Sequence, residues 1–245
     1  MNARHTVATA TRVARQLRHD PRTVALLIIV PVALEVLMKL VFYHQDRVFQ
    51  RVGVPLLGIF PLTSMFLVTS ITMLRERTSG TLERLMTMPI GKLDLLVGYG
   101  LAFASFAVVQ GIIVSLVAFG ALDLRVAGAK WAIVALAALN AVLGTAMGLF
   151  VSAFATTEFQ AVQFLPMFLL PQTILCGLLT PRDQMLRGLE WLSSLLPMTY
   201  AYDALSRVAT SSSIDGRLAF DIAVLAGASL LALALGAATL RRRTG

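Results

Sequence analysis

Charge is scarce in this sequence: 14% of its 245 residues are Asp, Glu, Lys or Arg, against about 25% in a typical soluble domain. A chain with so little surface charge and 57% hydrophobic residues does not read as a water-soluble globule. Cysteine is nearly absent. Cys176 stands alone between Leu175 and Gly177, which excludes an internal disulfide and suggests a packed thiol. The three histidines, His5, His19 and His44, lie far apart, without the spacing of a metal site, so no metal is expected. No G-x-x-x-x-G-K-[ST] loop occurs. The one Gly-Lys pair, Gly91-Lys92, is followed by Leu93 and lacks the upstream glycine, so nothing here cradles ATP phosphates. No nucleophile–base pair stands out by spacing, so no catalytic residue is assigned and the chain is not read as an enzyme. The net charge is +8, but no basic patch interleaves with exposed aromatics as single-strand binding needs, which argues against nucleic acid as a partner.

What the sequence has is long apolar runs. Six stand out: Thr23–Tyr43, Val54–Leu74, Leu93–Leu122, Trp131–Ala155, Phe159–Leu179 and Leu218–Leu240. Each can cross a hydrocarbon core of about 30 Å at 1.5 Å per residue. Backbone groups inside lipid must bond within the segment, so these are helices. They lack the apolar–polar alternation of barrel strands. The expected fold is an all-α integral membrane protein: an N-terminal arm over residues 1–22, then a single six-span domain over 23–245. Basic residues give its direction. Arg4, Arg12, Arg15, Arg18 and Arg22 precede the first run, Arg75, Arg77, Arg84 and Lys92 follow the second, and Arg241, Arg242 and Arg243 close the chain. The opposite short loops hold only Arg47, Arg51, Arg125 and Lys130, and the long segment with Arg182, Arg187, Arg207 and Arg217 weighs little. Both termini are therefore expected in the cytoplasm, and the protein is expected as a multi-pass component of the plasma membrane. Polar, Arg-rich residues before the first run also argue against a cleavable signal peptide.

The arm places Val7, Thr11, Ala14 and Leu17 near one helical face, with Arg12, Arg15 and Arg18 largely elsewhere, until Asp20-Pro21 breaks the pattern. That suggests an interfacial helix against membrane lipids; a solvated tail is the other reading.

The stretch RERTSGTLERLMTMPIGK, Arg75 to Lys92, interrupts two apolar runs with charge, glycine and proline. Ser79-Gly80 suits a turn, and Glu83 suits the first turn of a helix. Leu82, Leu85 and Met86 share a face, and Pro89 and Gly91 end the pattern. A short amphipathic helix over about 80–89 follows, too short to stand alone in water. It must be held by its own membrane domain or by a separate cytoplasmic protein; a topogenic loop with a short interfacial helix remains open.

This stretch resembles the loop after the second span in ABC-transporter permeases of the type-2 exporter family, through Glu76, Gly80, Thr81, Leu82, Glu83, Leu85, Pro89 and Gly98. The region around Asp20-Pro21 and Pro31 resembles that family's connecting helix and first span. GLLTPRDQMLRGLEWLSSLLPMTYAYDAL resembles its outer segment, through Gly177, Pro181, Pro197, Thr199, Tyr200 and Asp203. Many relatives carry a proline just after the position of Met185, where this chain has Leu186 and Arg187, which leaves the local fold there less defined. The resemblance implies a permease subunit of an ATP-driven exporter for a hydrophobic or amphipathic substrate: a drug, a lipid or a lipid-linked product. It implies a cytoplasmic ATP-binding subunit that carries ATP and Mg, and a second permease, identical or similar. The short helix would then be a coupling helix docked on the ATP-binding subunit, with Glu83 and Arg84 in contact with that partner. The resemblance also implies a substrate path between two permeases near the second and fifth spans, making Thr69, Thr72, Gln163 and Phe168 candidates to line it.

Polar residues within the runs complete the reading. Glu35 and Lys39 are four apart, share a face, and are expected to form an intramembrane ion pair. A carrier driven by an ion gradient through these two residues is the alternative. Asn140, Gln163 and Gln172 suit hydrogen bonds between helices, and Gly144 with Gly148 suits close helix contact, internal or between two permeases. Between the last two runs, over about 180–217, Met185, Leu189, Leu192 and Leu196 beside Trp191 suggest short outer helices near the interface. Ser211 to Ser213 suggest a flexible turn before the last run.

Overall fold

A computed structural model describes residues 3–81, 91–211 and 215–239. Among the described residues all regular structure is helical: α1 (Ala3–Arg18), α2 (Pro21–Val41), α3 (Asp46–Thr78), α4 (Lys92–Gly120), α5 (Lys130–Val151), α6 (Glu158–Leu175), a 3-10 turn (Arg182–Gln184), α7 (Arg187–Ser194), α8 (Pro197–Thr210) and α9 (Gly216–Thr239). Five of them, α2 to α5 and α9, are long and apolar enough to cross a membrane. The fifth expected span is α6, which is shorter than the rest and has no stretch as apolar as theirs. Its 18 residues reach about 27 Å at 1.5 Å per residue, and Glu158, Gln160, Gln163 and Gln172 dilute its apolar character. The second expected span is longer than its apolar run: α3 has 33 residues and continues past the run at both ends. The amphipathic turns expected over 80–89, beyond Thr81, lie outside the described residues, as do Ser212, Ser213 and the arginines after Thr239.

Asp20 starts α2 as its N-cap. Its carboxylate accepts from the Thr23 amide at 3.3 Å and the Thr23 hydroxyl at 2.6 Å. Pro21 then occupies the first turn, where its missing N–H costs nothing. Those bonds from Thr23 hold the Asp20 carboxyl below its ordinary value of 3.8.

The centre of the bundle is the packing of α3 on α5, the most extensive helix pair in the molecule. Gly144 and Gly148 make it possible. A Cβ on Gly148 would lie 2.5 Å from the Phe66 carbonyl oxygen, and one on Gly144 would collide with the Leu62 carbonyl. The glycine pair therefore serves an internal contact. Buried apolar clusters fill the bundle along its length. Val13, Met65, Tyr99 and Phe103 lie at the α1 end, and Phe49, Val114, Ile133 and Leu205 at the other. By contrast, α2 shows Leu26, Ile29, Leu37 and Leu40 at its surface and α6 shows Phe159, Val162, Met167 and Leu170, as suits helices facing an apolar solvent.

The arm is helical as expected, and the face it turns into the protein is not the apolar face expected against lipid. Thr6, Thr9, Val13 and Leu17 pack inward, while Val7 is 60% exposed and Thr11 is exposed. The face is selected by Gly98 of α4, where a Cβ would sit 2.6 Å from the Thr9 Cβ and 2.9 Å from the Thr6 carbonyl oxygen. Small threonines meet a glycine, and the helix rotates to allow that close approach.

At the opposite end the short helices expected over 180–217 are present as α7 and α8. The Thr199 hydroxyl donates to the Ser193 carbonyl at 2.7 Å and the Tyr200 hydroxyl to the Ser194 carbonyl at 2.6 Å, joining the two helices at a corner. Trp191 and Leu186 remain exposed there. Leu186 caps α7, so the position lacking the proline is the start of a helix. Arg182 pairs with Asp203, and Arg207 with Asp221 at 3.2 Å, docking α8 between the preceding turn and α9. Burial pushes the Asp203 carboxyl up, while Arg182 and Arg207 pull it down.

Replacing Gly148 with leucine is expected to force α3 and α5 apart and destabilise the protein by about 3 kcal/mol. Thermal melting in detergent micelles measures this, and an unchanged melting temperature would show that the close approach is dispensable.

Candidate functional site at the end of the second long helix

Arg75, Glu76 and Arg77 are consecutive on a helix, so their side chains leave it about 100° apart and each can reach a different neighbour. Arg75 donates to both carboxylate oxygens of Glu158, at 2.7 and 3.0 Å, in the first turn of α6. A carboxylate there also suits the positive end of the helix. Arg77 donates to the Ser152 carbonyl at 2.6 Å, satisfying an acceptor at the C-terminus of α5, where carbonyls otherwise lack partners. Glu76 is 4% exposed and pairs with Arg12 of α1 at 3.6 Å. Arg12 also donates to the Tyr99 hydroxyl at 2.5 Å, with its guanidinium 5.7 Å from that ring's centre. A longer contact, 3.5 Å, runs from the Thr6 hydroxyl to Asp94. The end of α3 is thus tied to α1, α4, α5 and α6 within one turn of helix. Gly80 then lies at φ +72°, the left-handed conformation that ends many helices and suits glycine.

Of the residues singled out for coupling, Glu76, Gly80 and Thr81 belong to this junction, whereas Leu82, Glu83, Arg84, Leu85 and Pro89 lie outside the described residues. The four path candidates are not gathered together. Thr69 is fully buried and faces Gly148 of α5. Thr72 lines a groove between α2 and α3. Gln163 and Phe168 are exposed on α6. The Glu35–Lys39 ion pair is not present. Lys39 instead pairs with Asp46 across the α2–α3 turn at 2.8 Å and lies over the Phe49 ring. Glu35 points into the bundle, fully buried, with neither carboxylate oxygen hydrogen-bonded among the described residues. Sharing a helix face did not unite them because the flexible lysine stem follows the more exposed carboxylate, where its charge stays solvated. The amides of Asn140 and Gln172 also depart from expectation. Each donates to its own helix, to Leu136 at 3.0 Å and to Phe168 at 2.9 Å. The amide that does join helices is Gln110 of α4, which donates to the Leu27 carbonyl of α2 at 2.6 Å and the Ser64 hydroxyl of α3 at 3.1 Å. Gln110 and the Arg12–Tyr99 contact were missed in the sequence, although a glutamine and a tyrosine inside apolar runs were the available signal.

Two cavities adjoin the junction. An apolar slot of about 360 Å³ runs between α2 and α3, walled by Leu26, Val30, Leu34, Phe60, Leu67 and Leu165. A smaller pocket of about 190 Å³ lies between α1, α2 and α3, with Gln16, Asp20, Glu76, Ser79 and Thr81 in its wall. Thr23, Thr72 and Arg75 line both. Among the described residues no group of three His, Cys, Asp or Glu side chains is gathered as a metal ion would require.

A helical bundle with five helices long and apolar enough to cross a bilayer, joined near one end by a polar junction, defines a multi-pass membrane protein. The sequence profile of the ABC-2 type transporter family matches residues 4–209, and the chain belongs to that family. It is 24% identical over 162 residues to the probable multidrug ABC transporter permease YbhR of Escherichia coli strain K12, a match covering 64% of this chain and 44% of that protein. It is 25% identical over 138 residues to ABC transporter G family member 20 of Dictyostelium discoideum, covering 56% of this chain and 19% of that protein. The chain therefore spans less than half the length of these relatives.

Replacing Arg12 with alanine strands Glu76 as a buried carboxylate and is expected to cost about 2 kcal/mol. Replacing Arg75 with alanine breaks a pair exposed by 59% and 52% and should cost under about 1 kcal/mol. Comparing the two melting temperatures checks this ranking, and equal losses would contradict it.

Proposed function

We propose that this chain is the membrane-spanning permease subunit of an ATP-driven exporter, moving a hydrophobic or amphipathic substrate out of the cytoplasm or the inner leaflet of the plasma membrane. Two such permeases, identical or similar, pair with two cytoplasmic ATP-binding subunits that supply ATP and Mg chemistry. The chain has six spans, with α6 as the short fifth, and both termini in the cytoplasm, as the distribution of Lys and Arg favours. The loop after α3 forms the coupling helix, with Glu83 and Arg84 facing the ATP-binding subunit and Leu82, Leu85 and Met86 facing the membrane domain. Family membership and the permease named among the relatives support this reading. A carrier driven by an ion gradient is not favoured by them.

The observation that carries the proposal is the junction around Arg75, Glu76 and Arg77. A loop that must convey a partner's movement needs a stiff attachment to several spans. Here the last turn of α3 is bonded to α1, α5 and α6. A displacement of the loop moves these helices together, and ATP-driven closure shifts the balance between inward-facing and outward-facing states.

Reversing both charges, Glu83→Lys with Arg84→Glu, is expected to reduce co-purification of the ATP-binding subunit and to lower vanadate-sensitive ATPase activity of the complex by about tenfold or more, as loss of buried charge contacts at an interface does. Intact co-purification with intact ATP-dependent transport would refute the coupling assignment.

A further inference from the structure

The slot and the pocket beside the junction differ in character yet share walls. The slot is mainly apolar, with the side chains of Leu26, Val30 and Leu67 among its walls and Thr63 and Ser64 beside them. The pocket is polar, and its charges are unequally satisfied. Arg75, the one cation among the described residues that line it, is held by both oxygens of Glu158. Asp20 forms no ion pair among the described residues, and its carboxylate accepts from Thr23 and from the Arg22 amide. Glu76, which is 4% exposed, turns to Arg12 at 3.6 Å, and its Oε2 accepts no hydrogen bond. Among the described residues the pocket thus presents two carboxylates, Asp20 without an ion pair and Glu76 with one oxygen that accepts no hydrogen bond, and no lining cation besides Arg75. Its remaining polar walls, Gln16, Thr23, Thr72, Ser79 and Thr81, are neutral.

We propose that slot and pocket form one site for a cationic amphiphile, with its apolar tail between α2 and α3 and its ammonium-type head between Asp20 and Glu76. The apolar walls take the tail without demanding a specific shape, because burial of apolar area is non-directional. The head is selected by charge: a carboxylate in a partly desolvated pocket attracts a cation far more than it would in water, and it repels an anion by a similar amount. A neutral head of the same size gains only neutral hydrogen bonds, roughly half as strong. The site names the substrate class for the exporter reading, on which its role in transport rests; the binding itself depends on this chain alone.

The test is equilibrium binding of radiolabelled dodecylammonium to the full chain in phosphatidylcholine nanodiscs, without the ATP-binding subunit and with empty nanodiscs as the blank. Saturable binding is expected, displaced by other alkylammonium ions and not by dodecyl sulfate. Asp20→Asn keeps the helix cap, since asparagine caps as well as aspartate, and should weaken binding about tenfold through loss of one charged contact. Val30→Trp, at a wall position 40% exposed, fills the slot from its open side and should weaken binding as well. Both variants should melt at the parent's temperature. Equal binding of dodecyl sulfate, or unchanged affinity in Asp20→Asn, would overturn the proposal and leave the slot as an apolar groove filled by lipid. Charge-selective binding in a chain that supports no ATP-driven export would instead refute the exporter reading and leave the site standing.

Discussion

The bundle depends on one close approach. Inside a bilayer there is little hydrophobic reward for bringing two helices together, because lipid tails are as apolar as the side chains. Packing must come from dense contact, and α3 and α5 achieve it by bringing backbones together where Gly144 and Gly148 meet the Leu62 and Phe66 carbonyls. The remaining helices are arranged around this pair. α4 and α9 pack on α5, and α2, α6 and α8 pack on α3. The arm repeats the device at smaller scale, with Gly98 of α4 receiving Thr6 and Thr9 of α1. Both contacts use a glycine to replace a side chain's thickness with a neighbour's backbone or a threonine.

On this apolar frame the polar contacts are placed where helices end. Arg75 and Arg77 address the start of α6 and the end of α5, and Arg12 joins Glu76 to Tyr99. At the opposite end Arg182, Arg207 and their aspartates hold α8. Helix ends carry the unsatisfied N–H and C=O groups of the backbone; Arg77 satisfies one of them at Ser152, and the side-chain pairs fix the relative positions of the helices. Deep in the bundle the pattern reverses. Gln110 is the described side-chain amide that bridges helices, while Asn140 and Gln172 fold back on their own carbonyls, and Glu35 remains buried without a hydrogen bond.

Much of this was legible from the residues. The apolar runs marked the long helices to within a few residues, because a bilayer imposes a length and a composition that no local competition can disguise. The exception is the start of α3 at Asp46, well before its run. Asp20-Pro21 was legible as a break after the arm and Ser79-Gly80 as a turn, and the structure makes the first the capped start of α2 and the second the left-handed end of α3. The apolar face expected against lipid leaves Val7 exposed, whereas the face turned into the protein carries Thr6 and Thr9, which fit the shallow contact at Gly98 and could not be read from hydropathy. The Glu35–Lys39 pairing failed for a related reason: spacing on one helix gives opportunity, and Asp46 on the next helix competes for the lysine. α6 looked like an ordinary span by its outer limits, although its glutamines leave it without a stretch as apolar as those of the other long helices.

What the sequence determined by itself was the all-helical membrane class, the order of the long helices and the place of the polar hinge between α3 and α4. Those properties follow from hydropathy, length and turn chemistry, which are local. The tertiary structure alone decided which face of α1 turns inward, which carboxylate Lys39 meets, and that Arg75, Glu76 and Arg77 divide among three neighbours. These are outcomes of competition between groups far apart in the chain, settled by distance and burial once the helices pack, and no local pattern contains them.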